Sequence, residues 1–553
     1  MKFLNIFLTL LFLLLVAPGA RSQDAPIIVI SIDVQAERRP NNPLIYGTAN
    51  ADAERLALLF SPLNRSGGNN TSRYNWQANA DNRAGDWFFQ SIGAESAVPG
   101  ERADAFIAGA KAVNAEPMLT IPLLDWIAKI GPNREKLASF SVAKYGAQQK
   151  TDEWMPDAGN GIKPDGSPVE GNDPSDANIR NSPAFQQEFV RHLVEKWGLA
   201  KDGGLKYYIL DNEPAIWHST HRDVQPIGLT TQELVDKTIA YSDAIKAVDP
   251  GALVLGPEEW GWTGFLYSGH DSQFSAKAGW NPDAFPDRKQ RGGMEALPWY
   301  LDQLRRHKEK TGKQVLDVFT VHFYPQGGEF GNDVSPEMQL RRNRSTRLLW
   351  DADYLDDTWI ADKVQLIPRL KKWVSLYYPG LSIGLTEYNW GAEDHINGAT
   401  TQADILGIFG REGLDMAARW STPDAKSPTF KAMQMYRNYD GKKSTFGETS
   451  VRAEAPDADK ISAFAAVREA DGALTVMVIN KQFAEGDAMD AGVKTSPITF
   501  DIKNFPFGSA QMWQLTANNK IQRLPDAIFD EGKLHKVLPH QSVTLFVFAP
   551  EAK

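Results

Sequence analysis

The chain of 553 residues contains no cysteine. Disulfides, thiolate metal sites and cysteine nucleophiles are thereby excluded, and stability has to come from packing. An excess of positive charge is also missing: 59 Lys and Arg stand against 69 Asp and Glu, a formal charge of −10. A nucleic-acid binder normally carries a basic face, so this balance argues against one. Beyond Val16 no apolar run approaches the roughly twenty residues that a membrane-spanning helix needs. A GxxxxGKS phosphate loop, a dinucleotide fingerprint, an HExxH pair and a GxSxG elbow are absent too. Nucleotide chemistry, the common zinc-protease arrangement and Ser-His-Asp hydrolysis lose their usual signatures with them.

What the chain does have is an ordinary globular composition, 42% apolar and 23% charged, and a length that allows a large core. Its 16 Trp are numerous. Flat indole faces suit stacking on ligands with apolar planes, sugar rings among them, although many Trp are simply core. Met1 to Ser22 reads as a secretory signal: Lys2, an apolar stretch from Phe3 to Val16, and a small-x-small site at Ala20-Arg21-Ser22. The expectation is a secreted or periplasmic protein without a membrane span once the signal is cleaved, an uncleaved anchor being the alternative.

After the signal, residues 23–42 hold a β-branched run, Pro26 to Val34, and a polar linker. From 43 to 440 strand-like and helix-like segments alternate. Strand candidates are Leu44–Gly47, the run ending at Ser66–Asn69, Pro117–Pro122, Tyr207–Leu210, Ala252–Glu259, Val315–Tyr324, Leu381–Tyr388 and Ala417–Trp420. Helix candidates between them include Pro183–Trp197, Thr230–Val248 and Glu295–Thr311. Roughly eight such units predict an α/β fold, a TIM-like (β/α)₈ barrel. The polar insert from Asp152 to Asn181 reads as a loop on it. From 441 to 553 short β runs with turn residues predict a β-sandwich, which the strand at Pro26–Val34 is expected to join.

The stretch Lys206 to His221 carries the chemistry. A doubly buried apolar run, Tyr207 to Leu210, ends abruptly in Asp211-Asn212-Glu213-Pro214, and proline stops the strand there. A carboxylate at the mouth of a barrel strand is a frequent catalytic position. Glu387, in Thr386-Glu387-Tyr388, ends the seventh predicted strand as Glu213 ends the fourth, so both face one mouth. Two carboxylates across a cleft are what glycosidic cleavage requires. Asp211, Asp125, Glu258 and Glu259 also stand at strand ends and remain alternatives for the pair. His218 and His221 read as ordinary hydrogen-bonding histidines, and the metal question stays open: Asp-rich loops offer oxygen ligands for a structural calcium, with no spacing that fixes a site.

Several segments together resemble glycoside hydrolase family 44, the retaining endo-β-1,4-glucanases and xyloglucanases. They are Gly67-Gly68-Asn69 with Arg73-Tyr74-Asn75-Trp76, Asp211-Asn212-Glu213-Pro214-Ala215-Ile216-Trp217, His322-Phe323-Tyr324-Pro325, and Thr386-Glu387-Tyr388-Asn389-Trp390-Gly391. The runs Gln402 to Gly413 and Met435 to Gly441 complete the series. The resemblance implies a barrel plus a sandwich built from both chain ends, Glu213 as acid/base, Glu387 as nucleophile, and retention of configuration. Asn70-Thr71-Ser72, between Gly-Gly-Asn and Arg73, departs from the family pattern and implies a reshaped loop at one end of the cleft. Substrate-binding candidates are Asn69, Asn75, Trp76, Asn212, Trp217, His322, Tyr324, Tyr388, Trp390 and Trp420. Of these, Asn212 is placed for the sugar 2-hydroxyl, and His322 and Tyr324 for orienting Glu387. The expected partner is a neutral polysaccharide, β-glucan or xyloglucan, bound by a monomer that needs no cofactor. Rivals are a retaining barrel hydrolase of xylan or mannan, and a noncatalytic glycan-binding protein.

Overall fold

A computed structural model describes residues 26–483, 494–528 and 534–550. The signal expected at 1–22 lies outside the described residues. Eight parallel strands close a barrel in chain order: Gly47–Ala49, Leu63–Ser66, Glu116–Ile121, Tyr207–Leu210, Leu253–Glu259, Val318–Phe323, Ser382–Tyr388 and Met416–Arg419. Closure is made where Gly47 of the first strand pairs with Ala418 of the eighth. The first strand starts later than its sequence suggests. Asn42 accepts the Leu44 N–H through its side chain and Pro43 opens a 3₁₀ turn over Pro43–Tyr46, so the apolar Leu44-Ile45-Tyr46 winds as a helical turn.

The helices begin where capping chemistry says they should. Ser182 caps Pro183–Trp197, with proline in the first turn. Thr230 and Glu233 form a reciprocal capping box on Thr231–Val248. Inside the barrel, Leu63, Met118, Tyr207, Ile209, Leu255, Val318 and Met416 pack into a dry lower layer. Two residues further along several of these strands stand Arg65, Thr120, Asp211 and Thr320, all buried. The period of two thus carries the interior from apolar to polar toward the C-terminal mouth. The insert after the third strand is more ordered than a plain loop. It contains a hairpin, Thr151–Asp152 with Met155–Gly159, and a strand, Asn178–Arg180, paired to Trp126–Ala128.

The remaining strands form a mostly antiparallel two-layered sheet. Ile28–Asp33 lies parallel to Thr495–Lys503 and antiparallel to Thr449–Glu454, so the early strand is an interior member of the sandwich. Thr449–Glu454 pairs through its first half with Ile461–Val467 and through its second half with Ile28–Asp33, which joins the layers. Three strands carry no apolar alternation that would announce them: Thr449–Glu454, Gln522–Ile528 and Leu534–Pro539. Gln522–Ile528 is a largely exposed edge strand, where charge and proline discourage further pairing.

Ile461–Val467 is buried on both faces. Ile461, Ala463 and Ala465 point into the sandwich core, while Phe464 and Ala466 join the barrel's cluster. Their partner is the helix Ile396–Glu412, buried along nearly its whole length between barrel and sandwich. Gly407 permits that approach: a Cβ there would stand 2.1 Å from the Phe464 ring. One buried ion pair bolts the layers together, Lys481 Nζ to Asp404 Oδ2 at 2.9 Å, with the Thr346 hydroxyl on the same oxygen at 2.7 Å.

Breaking such a pair strands a charge in a dry interface. Lys481→Met is expected to lower stability by about 3–5 kcal/mol, whereas Lys481→Met/Asp404→Leu recovers most of the loss. Denaturant titration of the single and double variants checks this; equal losses in both would reject the role given to the pair.

Candidate active site

Two β-bulges shape the mouth of the barrel. In the register between the fifth and sixth strands Pro257 faces Thr320 but Glu259 faces Val321, so Glu258 is the extra residue. Between the sixth and seventh, Val321 faces Leu385 and His322 faces Glu387, leaving Thr386 extra. Each insertion re-aims the side chains that follow it. Leu385 packs outward against the helices, Glu387 turns into the mouth, and Tyr388 returns to the outer core. Asp211, Glu213 and Glu258 hold φ of 63°, 51° and 58°, unusual for residues with a Cβ. Asp211 is fixed by accepting the N–H groups of Leu123, Leu124 and Asn212. The Glu213 N–H donates to the Glu258 carbonyl at 3.0 Å. Neighbouring strand ends therefore lock one another's backbones.

Arg65, fully buried, is the hub. One terminal nitrogen donates to Glu387 Oε1 at 2.6 Å. The other donates to Glu258 Oε2 at 2.9 Å and Asn212 Oδ1 at 3.1 Å. Gly67 leaves it room, since a Cβ there would come within 2.2 Å of the guanidinium. His322, also buried, has Nδ1 2.9 Å from Glu213 Oε1 and Nε2 3.0 Å from Glu258 Oε2. The Tyr324 hydroxyl donates to Glu387 Oε2 at 2.9 Å. One oxygen of Glu213, one of Glu387 and a His322 ring nitrogen lie within 4.8 Å of one another. Among the described residues this is the one group of three carboxylate or imidazole donors close enough to share a cation. Its members are engaged with each other, Arg65 and Tyr324, and none comes from the Asp-rich loops. On the open side, Asn212 Nδ2 donates to Asn69 Oδ1 at 3.2 Å, and Asn69 in turn donates to both oxygens of Asp86.

Burial pushes the Glu213 carboxyl up, and His322 beside it only partly offsets this. Glu258 goes the other way: burial alone would raise it, but Arg65 and His322 hold it down at about 2. Burial disfavours the His322 imidazolium, yet Glu387, Glu213 and Glu258 outweigh it and raise that ring to about 9. Burial lifts Glu259, just outside the ring of contacts, to about 7. Neighbouring carboxyls pushed in opposite directions by burial and charge are a mark of acid–base sites.

Glu213, Glu387, Asn69, Asn212, His322 and Tyr324 meet at this mouth, and Trp420 stands beside them, half-buried against Gly68 with its ring 5.9 Å from the Arg65 guanidinium. Five other expected substrate contacts are placed elsewhere. Trp76 stacks on Phe189 of a barrel helix, its centroid 5.7 Å away. Asn75 donates to the Ala128 carbonyl from a buried position. Trp217 is wholly buried and donates to the Asn212 carbonyl. Tyr388 packs edge-on against Phe409, and Trp390 donates to the Ser345 hydroxyl inside the core. These five support the mouth from behind: strand parity turns Tyr388 outward, the tight turn after Glu213 does so for Trp217, and Asn75 and Trp76 lie in the loop that follows the turn Thr71–Arg73. Of the alternatives for the pair, Asp211 is bound to backbone N–H groups and Asp125 to Lys237. Arg65 and Asp86 drew no notice in the sequence. Arg65 follows Leu63 at the inward period, which is the one signal that marked it.

Known proteins resemble this chain in sequence and in fold. The sequence profile described as Glycoside hydrolase family 44 matches residues 80–327. CelM2, a bifunctional glucanase-xylanase protein from a metagenome library, superposes with TM-score 0.92 at 59% identity, over 95% of this chain and 100% of that one. A Paenibacillus polymyxa xyloglucanase from glycoside hydrolase family 44 superposes with TM-score 0.76 at 30% identity, over 95% and 100% of the two chains. Endoglucanase A of Paenibacillus lautus is 31% identical over 490 residues, 84% of this chain. The chain spans 65% of that protein's length and 35% of another curated match.

The raised His322 gives a pH signature. Its value is 6.5 unperturbed and about 9 in the fold, so its contribution to stability is complete below 6.5 and disappears as pH rises through about 9. Unfolding midpoints in denaturant are expected to fall across that window, and His322→Gln to flatten the decline. A variant with the same slope as the parent would reject the coupling.

Proposed function

The chain belongs to glycoside hydrolase family 44, and from that membership we propose that it is an endo-acting hydrolase of β-1,4-glucan backbones that retains anomeric configuration. The observation that carries the reading is that Glu213 and Glu387 face each other across the mouth, one oxygen of each within 4.8 Å of the other, which favours the shorter carboxyl separation. Retaining enzymes hold their carboxyls about 5 to 5.5 Å apart, and inverting ones about 6.5 to 9.5 Å to admit water between.

In the first step protonated Glu213 gives its proton to the glycosidic oxygen as the bond from the anomeric carbon to that oxygen breaks. Glu387 forms the new bond to the anomeric carbon, and Arg65 and Tyr324 hold its two oxygens in place. In the second step Glu213, now a carboxylate, takes a proton from water; the water oxygen bonds the anomeric carbon and Glu387 leaves. Glu213 suits the first role because burial keeps its proton on above the ordinary carboxyl range. Asn212, held by Arg65 and Gly68, presents its amide beside the acid for the sugar 2-hydroxyl. Trp420 offers a ring face at the mouth. Acid, base and nucleophile are all protein carboxyls, so no cofactor is required. A neutral polysaccharide suits the acidic chain better than a polyuronide would.

Among the described residues no helix is long and apolar enough to cross a membrane. The leader pattern at Met1–Ser22 supports export to the polysaccharide. Xylan is a second substrate to weigh, because CelM2, at 59% identity, is called a bifunctional glucanase-xylanase.

A reducing-sugar screen over xyloglucan, carboxymethylcellulose, glucomannan and xylan tests the substrate, and the glucans are expected to lead. NMR of the first product tests the mechanism: retained configuration is expected, and an inverted product would remove Glu387 as nucleophile. Glu213→Gln and Glu387→Gln should each lower kcat by about 10²–10⁴ or more while substrate still binds. In the parent the alkaline limb of kcat/KM should lie above the ordinary carboxyl range, where Glu213 loses its proton.

A further inference from the structure

Glu258 is the third carboxylate at the mouth, and double displacement leaves it without a task. It is wholly buried on the fifth strand, at a bulge, with φ of 58°. Its Oε2 receives two cations' donors at once, Arg65 at 2.9 Å and His322 Nε2 at 3.0 Å. The Arg65 nitrogen and His322 Nε2 are themselves 3.1 Å apart, so Nε2 accepts from Arg65 when it carries no proton and shares the Glu258 acceptor with Arg65 when it does. A buried carboxylate at a strained backbone position, bridging the two side chains that hold the reacting carboxyls, is an arrangement that packing alone does not call for.

The consequence lies in His322. An imidazole with both nitrogens facing carboxyl oxygens, one of Glu213 and one of Glu258, can donate from both only as the imidazolium. We propose that Glu258 is a positioning residue which holds His322 doubly protonated, so that Nδ1–H occupies Oε1 of Glu213 and directs the acid's proton to Oε2 and the substrate. With an unprotonated Nδ1 the Glu213 proton would instead point at the ring and away from the glycosidic oxygen. The two cations, His322 and Arg65, are then matched by Glu258 and Glu387, and Glu213 stays neutral until it acts. After the proton has gone to the leaving oxygen, the same Nδ1–H stabilises the Glu213 carboxylate that awaits water.

The other groups facing His322 are consistent with this count. Glu387 Oε2 lies 3.5 Å from Nδ1 and adds to the negative field. Tyr324 donates to Glu387, and burial together with that charge pushes its own pKa up, so it stays neutral. Arg65 opposes the imidazolium, and Glu258 offsets it from the shared oxygen. The raised value of His322, about 9, agrees with the geometry.

This inference rests on Glu213 as the acid, and two measurements test it. In the unmodified protein with ¹⁵N-labelled histidine, assigned through His322→Gln, His322 should show two imidazolium N–H groups at about pH 7.5, where an unperturbed histidine is neutral. A neutral ring there overturns the proposal, and this readout needs neither activity nor a Glu258 variant that folds. For Glu258→Gln, kcat/KM is compared on an aryl β-cellooligosaccharide with a strongly acidic phenol and on an unactivated oligosaccharide. The phenol leaves without help from the acid, so the loss on the unactivated substrate should exceed the other by about tenfold or more. Equal losses would reduce Glu258 to a structural anchor and overturn the proposal. Glu258→Asp, which restores the charge, should recover part of that difference. A parent chain that cleaves neither substrate would defeat the hydrolase reading, and the histidine measurement would still decide the charge state.

Discussion

Arg65 inside the barrel mouth is the interaction on which the rest of the site depends. A guanidinium without solvent is tolerable only when its charge is met, and Glu387, Glu258 and Asn212 receive both of its terminal nitrogens from the seventh, fifth and fourth strands. Each partner is thereby fixed relative to the others. The same contacts put a full positive charge against the group proposed to attack and leave Glu213, which Arg65 does not touch, free to hold a proton. Two carboxyls of one mouth thus acquire different environments from their different distances to one cation.

Geometry this tight needs rigid supports, and the barrel supplies them in two ways. The apolar layer of Leu63, Met118, Ile209, Leu255, Val318 and Met416 packs the floor below the polar groups. Bulges at Glu258 and Thr386 then rotate the strand ends so that consecutive residues serve opposite purposes. Glu387 reaches into the mouth while Tyr388, the next residue, wedges against Phe409 of the helix Ile396–Glu412. That helix continues the support outward, because its far side carries Phe464 of the sandwich against Gly407. The sandwich is therefore a buttress for the wall that holds Glu387, joined to it by apolar contact and by the Lys481–Asp404 pair.

The aromatic residues show how the same chemistry serves two ends. Trp76, Trp217, Tyr388 and Trp390 follow the strand ends in sequence as a sugar platform would, yet each has its face covered by protein. The polar groups of three find partners inside: Trp217 donates to the Asn212 carbonyl, Trp390 to the Ser345 hydroxyl, and the Tyr388 hydroxyl accepts from Gln402. A large amphipathic ring next to an active site can stiffen it from behind as readily as it can meet substrate. Only Trp420, beside Gly68, keeps a ring at the mouth among the Trp expected there.

Much of this was legible in the chain itself. Apolar runs of strand length ending in acids, alternating with capped amphipathic helices, were enough for the barrel and for the fourth-strand and seventh-strand positions of Glu213 and Glu387. The switch to short β runs after Gly441 announced the sandwich, because period and turn composition are local properties. Polar edge strands such as Gln522–Ile528 escaped notice for the complementary reason: they bury little and carry no period. Which way Trp76, Trp217, Tyr388 and Trp390 face, and that Arg65 and Glu258 meet His322, were decided only in the folded molecule. The facing of Tyr388 and Trp390 hangs on a bulge that shifts parity by one residue, and the site on charges brought together from strands up to 322 residues apart. Local sequence sets an element's period; the pairing of distant strands sets its phase, and in this protein the phase places the chemistry.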